Sequence, residues 1–214
     1  MAKIIPTILT NSEEEYLKRL RQIEHICDLI QIDIIDGKFA PNTTVGTDVI
    51  GKYPSSSLLE AQLMVNYAES YIDELVNLDY VSRIIIPIEG KSDIHELIYQ
   101  IKNHGKQAGL SLNPKTSVES AHIFFEKVDF LLLLAVDPGF SGQKFQEHVI
   151  DKVREAKRLM PGLAVEIDGG VNFENAPLLT AAGADFLAAN RVLYSAPDFA
   201  IAYEKLAKLA SQTS

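Results

Sequence analysis

The chain has one cysteine, Cys27, so it can form no internal disulfide, and the reducing cytosol is its expected compartment. Long apolar runs are also missing. The longest, residues 130–136, falls far short of the ~20 residues that a membrane-spanning helix needs. The opening MAKIIPTILT holds one lysine and then reads directly as a strand, without the apolar segment and cleavage site of a signal peptide. Basic residues are in deficit, 20 Lys and Arg against 29 Asp and Glu, for a net charge of −9. A phosphate backbone wants a basic face, so a nucleic-acid partner is not expected. A small phosphorylated ligand needs only a local pocket of donors and stays open. No low-complexity segment, linker or tight internal repeat interrupts the chain.

What is present is an ordinary globular composition, 47% hydrophobic over 214 residues, enough for one sizeable core. One domain over residues 1–214 is expected. Apolar, β-branched runs at 3–9, 29–34, 58–65, 83–88, 107–112, 130–136, 164–168 and 186–189 read as strands. Amphipathic patterns at 12–26, 68–78, 93–104, 118–126, 146–160, 173–182 and 197–209, with a short one near 47–52, read as the helices between them. Ser12 followed by Glu15 suggests a capping box for the first helix. Pro161-Gly162 and Gly183 are stop signals. Eight strand–helix pairs point to a parallel sheet, and eight is the number that closes a (β/α)8 barrel. An open, doubly wound sheet is the competing arrangement.

In such a barrel the chemistry sits at the C-terminal strand ends and the loops that follow. That rule selects Thr7, Gln31, Asp33, Asp36, Gln62, Met64, Glu89, Asn113, Asp137 and Asp168. Side chains alternate along a strand, so Gln31, Asp33 and Ile35 share one face while Ile32 and Ile34 take the other. The polar pair is expected to face the barrel interior, as are Glu166 and Asp168 on the seventh strand. An inward carboxylate is expensive to desolvate unless it is hydrogen-bonded, metal-bound or catalytic. Asp33 on strand two and Asp168 on strand seven are expected to face each other across the mouth, a placement suited to proton removal and return on opposite faces of one carbon. The plainer alternative is that each carboxylate ties down loop amides.

Two segments read as phosphate cradles. EIDGGV leaves strand seven through Gly169-Gly170, and AANRVLY leaves strand eight with Asn190 and Arg191 before a short helical turn. Loops after strands seven and eight are the usual phosphate site of this fold, and Arg191 adds a charge-assisted donor. DPGFSGQKF, carrying Gly139, Phe140, Ser141 and Gly142, reads as a mobile lid or substrate loop. Glycines serving only as turn residues, and an ordinary surface loop, are the alternatives.

Taken in order, PTILT, QIDIIDGKFAPNTTVG, EAQLMV, LNPKT, DPGFSGQKF, EIDGGV and AGADFLAANRVLY resemble the ribulose-phosphate 3-epimerase family over nearly the full length. The resemblance implies a barrel that interconverts ketose phosphates differing at carbon 3. It implies that Asp33 and Asp168 form the acid–base pair and also ligate a divalent metal. It further implies phosphate contacts at Gly169, Gly170 and the Asn190-Arg191 loop, a small phosphorylated sugar as ligand, and a dimer or hexamer of like chains.

Where the chain departs from that pattern, it does so at the mouth. Both metal-binding histidine positions of the family are glutamine, Gln31 and Gln62. The five histidines present, His25, His95, His104, His122 and His148, fall in helical or helix-adjacent segments. Amides are poor ligands for a site that favours imidazole, thiolate and carboxylate, so no resident metal and no other cofactor is expected. The family's first-strand serine is Thr7 and a histidine of its fourth strand is Pro87. Met64 keeps one site methionine, while Ile35 and Leu134 stand where others would be. A small Gly-Ser pair is replaced by Asn190-Arg191. The expected activity is a metal-independent sugar-phosphate epimerization with the amides of Gln31 and Gln62 as an oxyanion hole and at least one aspartate of raised pKa. A non-catalytic sugar-phosphate binder, or another isomerase or lyase on the same barrel, are the alternatives. The Asp-x-Lys-x-x-Asp cluster of related decarboxylases and aldolases is absent from the sequence.

Overall fold

A computed structural model describes residues 1–211; the last three residues of the expected 1–214 domain lie outside the described residues. The eight strands are β1 (Lys3–Ile8), β2 (Leu29–Ile35), β3 (Leu58–Met64), β4 (Val81–Pro87), β5 (Gln107–Leu112), β6 (Phe130–Leu134), β7 (Ala164–Asp168) and β8 (Phe186–Ala189). They follow one another around a closed barrel in chain order, and the recorded pairings are parallel. The helices are α1 (Glu13–Ile23), α2 (Thr47–Lys52), α3 (Glu69–Leu75), α4 (Ile94–Asn103), α5 (Val149–Leu159), α6 (Ala176–Ala182), α7 (Arg191–Tyr194) and α8 (Phe199–Ala210). This is the expected (β/α)8 architecture, not the open sheet.

Residue spacing explains the elements. Helix α1 buries Tyr16, Leu20 and Ile23, a spacing of four and three that places them on one stripe. Ser12 caps it by accepting from the Glu15 N–H at 3.2 Å. The reciprocal half of the expected capping box is not recorded: the Glu15 carboxylate turns along the helix to Arg19 at 2.7 Å. Gly183 ends α6 in the left-handed region, at φ 112°. The segment expected as a helix at 118–126 is a 3₁₀ turn, Glu119–Phe124. Its buried residues Val118, Ala121 and Phe124 recur every third position, the period of a 3₁₀ helix, and Ala121 N–H donates to Val118 C=O.

Two compact units make up the chain. One comprises Thr7–Ser111 with Pro138–Phe140, and so holds β2, β3, β4 and most of β5. In it β2 pairs with β3 without a shift, placing Gln31 beside Glu60, Asp33 beside Gln62 and Ile35 beside Met64. The other comprises Met1–Pro6, Leu112–Asp137 and the chain from Ser141 onward, and holds β6, β7 and β8. There Leu134 lies beside Asp168, and Asp168 beside Ala188. Both strand faces are buried: Ile30, Ile32 and Ile34 on β2 are as enclosed as the polar residues between them.

Candidate functional site

In the unit that carries Asp33, alternation along β2 puts the heads of Gln31 and Asp33 on one face, and the register brings Gln62 of β3 to the same point. Gln31 is 0%, Asp33 3% and Gln62 0% exposed. The Gln31 amide nitrogen donates to Asp33 Oδ1 at 2.7 Å and to Gln62 Oε1 at 2.6 Å. The Gln31 N–H groups expected to line an oxyanion hole are therefore turned onto its two neighbours. Because Gln62 presents its oxygen to Gln31, its own NH2 lies on the other side of that amide.

Above this trio, the loop leaving β2 is tightly built. The Thr44 hydroxyl donates to the Asp33 carbonyl at 2.7 Å and accepts from the Ile35 N–H at 2.9 Å. Asp36 Oδ1 accepts from the N–H groups of Lys38 and Phe39, both at 2.7 Å, and Oδ2 from Asn66 N–H at 3.0 Å. Burial alone would raise the Asp36 carboxyl, but the N–H groups of Phe39, Asn66 and Lys38 outweigh it and hold its pKa below the ordinary value. Met64 packs with Ile35 and Ala40, flanked by Leu9 and Phe39, in an apolar cluster under that loop. Thr7 is buried on β1 beside Gln31. Gly139 also belongs to this unit, and its carbonyl accepts from Asn42 Nδ2 at 2.6 Å. Phe140, next to it, is 52% exposed.

One feature of the interior was missed by reasoning from motifs. Glu60, two residues before Gln62, is fully buried and pairs with buried Arg83 of β4 at 2.9 Å. The signal was available, since Glu60 has the same inward parity as Gln62.

In the other unit, Asp168 is the last residue of β7 and half-buried, while Glu166 is fully buried. The Asp168 carbonyl accepts from Ala135 N–H at 2.7 Å, so residues expected at the end of the sixth strand lie instead in a loop laid against β7. Gly169 and Gly170 have φ of 110° and 67°. A Cβ on Gly169 would meet Val136 at 2.6 Å, and one on Gly170 would meet the Phe145 backbone at 3.0 Å. Packing against both roots of the DPGFSGQKF loop thus requires glycine here, independent of any ligand. Asn190 precedes α7, and its carbonyl accepts from the Leu193 and Tyr194 N–H groups. Arg191 is exposed, and its Nη1 reaches the Gly142 carbonyl at 3.3 Å. Ser141 and Gly142 are exposed as well.

All five histidines are exposed. Among the described residues no three or more of His, Cys, Asp and Glu are grouped to hold a metal. The divalent metal implied by the family resemblance does not fit this donor set. Gln31 aims a nitrogen with no available lone pair at Asp33, and its amide engages Asp33 Oδ1 and Gln62 Oε1, where the family pattern would place imidazole ligands.

Comparison with known proteins agrees with this architecture. The chain is 35% identical over 206 residues to a ribulose-phosphate 3-epimerase of Bacillus subtilis (strain 168), covering 92% of this chain and 94% of that one. It is 37% identical over 182 residues to the Chlamydia pneumoniae protein of the same name, covering 81% and 79%. A crystal structure of 3-hexulose-6-phosphate synthase shares the fold at a TM-score of 0.70 and 18% identity, covering 98% of this chain and 100% of that one. The model of the ribulose-phosphate 3 epimerase family matches residues 3–194. With the match running from β1 to the end of α7, the chain belongs to the ribulose-phosphate 3-epimerase family.

Proposed function

We propose that this protein is a ketose-phosphate 3-epimerase that moves the proton with Asp33 and Asp168 and does so without a resident divalent metal. Family membership supports the reaction class. The observation that carries the metal-independent reading is the Gln31 amide donating to both Asp33 and Gln62.

One aspartate takes the proton at C3, next to the ketose carbonyl, and the C–H electron pair becomes the C2–C3 double bond of an enediolate. Negative charge moves onto the former carbonyl oxygen. The other aspartate returns a proton to C3 from the opposite face, and the carbonyl re-forms. Gln31 holds one oxygen of Asp33 and so fixes the plane of the carboxylate. Gln62, its NH2 turned away from Gln31, supplies an N–H to the enediolate oxygen. One such donor stabilises a transition state by about 3–4 kcal/mol. The substrate's phosphate sits at Gly169-Gly170 and Asn190-Arg191, with Arg191 exchanging the neutral Gly142 carbonyl for a charged acceptor. Thr7, Met64 and the segment from Gly139 to Gly142 complete the walls.

The test is exchange. Protein purified without added metal and treated with chelator is incubated in D2O with ribulose phosphate and a panel of pentulose and hexulose phosphates. Deuterium should enter at C3 with wild type, and Asp33→Asn or Asp168→Asn should abolish inversion at C3. Tight phosphate binding with no exchange across the panel would leave a non-catalytic binder. One stoichiometric transition metal in the purified protein would refute the metal-independent part.

A further inference from the structure

We infer that Asn42 is a positioning residue for the reaction, holding the Pro138–Phe140 segment at a fixed place relative to Asp33 through the carbonyl of Gly139. The inference rests on the reading of Asp33 as a proton-transfer group.

Asn42 stands on the loop that leaves β2, and that loop is anchored at several independent points. Thr44 ties it to the Asp33 carbonyl and the Ile35 N–H. Asp36 forms an isolated antiparallel bridge with Thr43 and caps the Lys38, Phe39 and Asn66 N–H groups. Phe39 and Ala40 are packed into the apolar cluster with Ile35 and Met64. At Gly37, with φ at 75°, a Cβ would strike the Thr43 methyl at 2.9 Å, so the turn is closed on itself. A side chain on such a platform is placed by the strand that carries Asp33.

The Asn42 head is also oriented. Its Oδ1 accepts from Thr43 N–H at 2.9 Å, and its backbone N–H donates to Ala40 C=O at 2.8 Å. That leaves the NH2 directed at Gly139, whose carbonyl it reaches at 2.6 Å across 97 residues of sequence. Gly139 is buried, has φ at 126°, and a Cβ built on it would meet Ala40 and Pro41 of the same loop at 3.5 and 3.6 Å. Phe140 follows immediately and is largely exposed. In a segment this polar and glycine-rich, the Asn42 amide and the close approach of Ala40 and Pro41 tie its backbone to the β2 loop.

Asn42→Asp is the sharp test. It is isosteric and keeps Oδ1 for the Thr43 N–H, but it cannot donate to a carbonyl. Asn42→Ala controls for the added charge. With the loop displaced by about an ångström, the rate of C3 proton exchange at saturating substrate should fall ~10–100-fold in both variants. The melting temperature should drop by no more than ~4 °C, the size expected for one lost hydrogen bond in a chain of this length. Amide hydrogen exchange over residues 138–142 should quicken while that of β2 and β3 stays as in wild type. Rates within about twofold of wild type in both variants, or unchanged protection of 138–142, would overturn the inference. If wild type exchanges no proton with any sugar phosphate, the epimerase reading fails on its own, and the protection of 138–142 in the two variants still judges the contact.

Discussion

Gln31 lies beside Asp33 on one face of β2 and gives one amide hydrogen to its Oδ1 at 2.7 Å, the other going to Gln62 Oε1 at 2.6 Å. One side chain therefore sets the orientation of two others, one of them the proposed base. Gln31→Leu keeps the volume and removes both donors. It leaves a buried carboxylate oxygen and a buried amide oxygen each short of a partner, at a cost of about 1–3 kcal/mol apiece. The expected outcome is a clear loss of stability in urea denaturation together with a fall in C3 exchange. Unchanged exchange in a folded variant would show that Gln31 does not orient Asp33.

Because the heads of Gln31, Asp33 and Gln62 already meet within hydrogen-bonding distance, the amides are what the metal would have to overcome. The double substitution Gln31→His with Gln62→His places two imidazoles beside that carboxylate, a donor set suited to zinc or cobalt. Titration with Co(II) should give about one equivalent bound, with visible absorption that wild type does not produce. If the double variant binds no better than wild type, the glutamines do not govern cation binding at this position.

Much of this arrangement was legible in the residues, and the parts that were not share a cause. Strands β7 and β8 end where expected, since Gly169 and Asn190 stop them. Parity along β2 placed Gln31 with Asp33 correctly because alternation is a backbone property. Where the head of a long side chain comes to rest is not a backbone property. Nothing in QIDIID says that Gln31 turns to Asp33, and nothing in AANRVLY says that Arg191 reaches Gly142. β4 starts at Val81, two residues earlier than expected, because Val81 is buried beside Leu59, a contact between strands that the run itself does not contain. Gly169-Gly170 shows a second limit, since two demands can fall on the same residues. A glycine pair read as a phosphate cradle is already demanded by the approach of Val136 and Phe145.

The buried pair of Glu60 and Arg83 gives a prediction about stability alone. Removing one partner strands a charge in the interior, whereas replacing both by apolar residues does not. Glu60→Leu or Arg83→Met singly should destabilise by about 3–5 kcal/mol. The two together should recover most of that loss in thermal or urea unfolding. A double variant as unstable as the sum of the singles would mean that the pair is held for its packing and not its charge.

Asp36 predicts a pH dependence of definite sign. Its folded pKa is lowered by the Phe39, Asn66 and Lys38 N–H groups acting against the opposing effect of burial. A carboxylate with a depressed folded pKa stabilises the fold fully above its unfolded pKa, and the contribution fades as pH falls toward the folded one. Comparing wild type with Asp36→Asn removes the background of other acids. The stability difference should be constant from neutral pH down to about 5 and should shrink below about 4, the ordinary carboxylate value. A difference that grows on acidification would contradict the hydrogen-bonding assigned to Asp36.

Gly170 tests whether the exit of β7 is built for the loop that packs on it. Any side chain there must adopt φ near 67°, and its Cβ would lie 3.0 Å from the Phe145 N and Cα and 2.9 Å from its Cβ. Two of those atoms are backbone, so no rotamer change relieves the contact, and the left-handed conformation adds about 1 kcal/mol of its own. Gly170→Ala should therefore cost about 2–3 kcal/mol in unfolding experiments. Gly162, where an added Cβ would meet nothing within 4 Å, provides the comparison, and Gly162→Ala should be close to neutral. The displaced atom is the root of the DPGFSGQKF loop, so the Gly170→Ala protein should also show faster amide exchange around Phe145. If Gly170→Ala unfolds like wild type, Phe145 yields without cost, and the glycine would then have to be explained by what approaches it from the mouth.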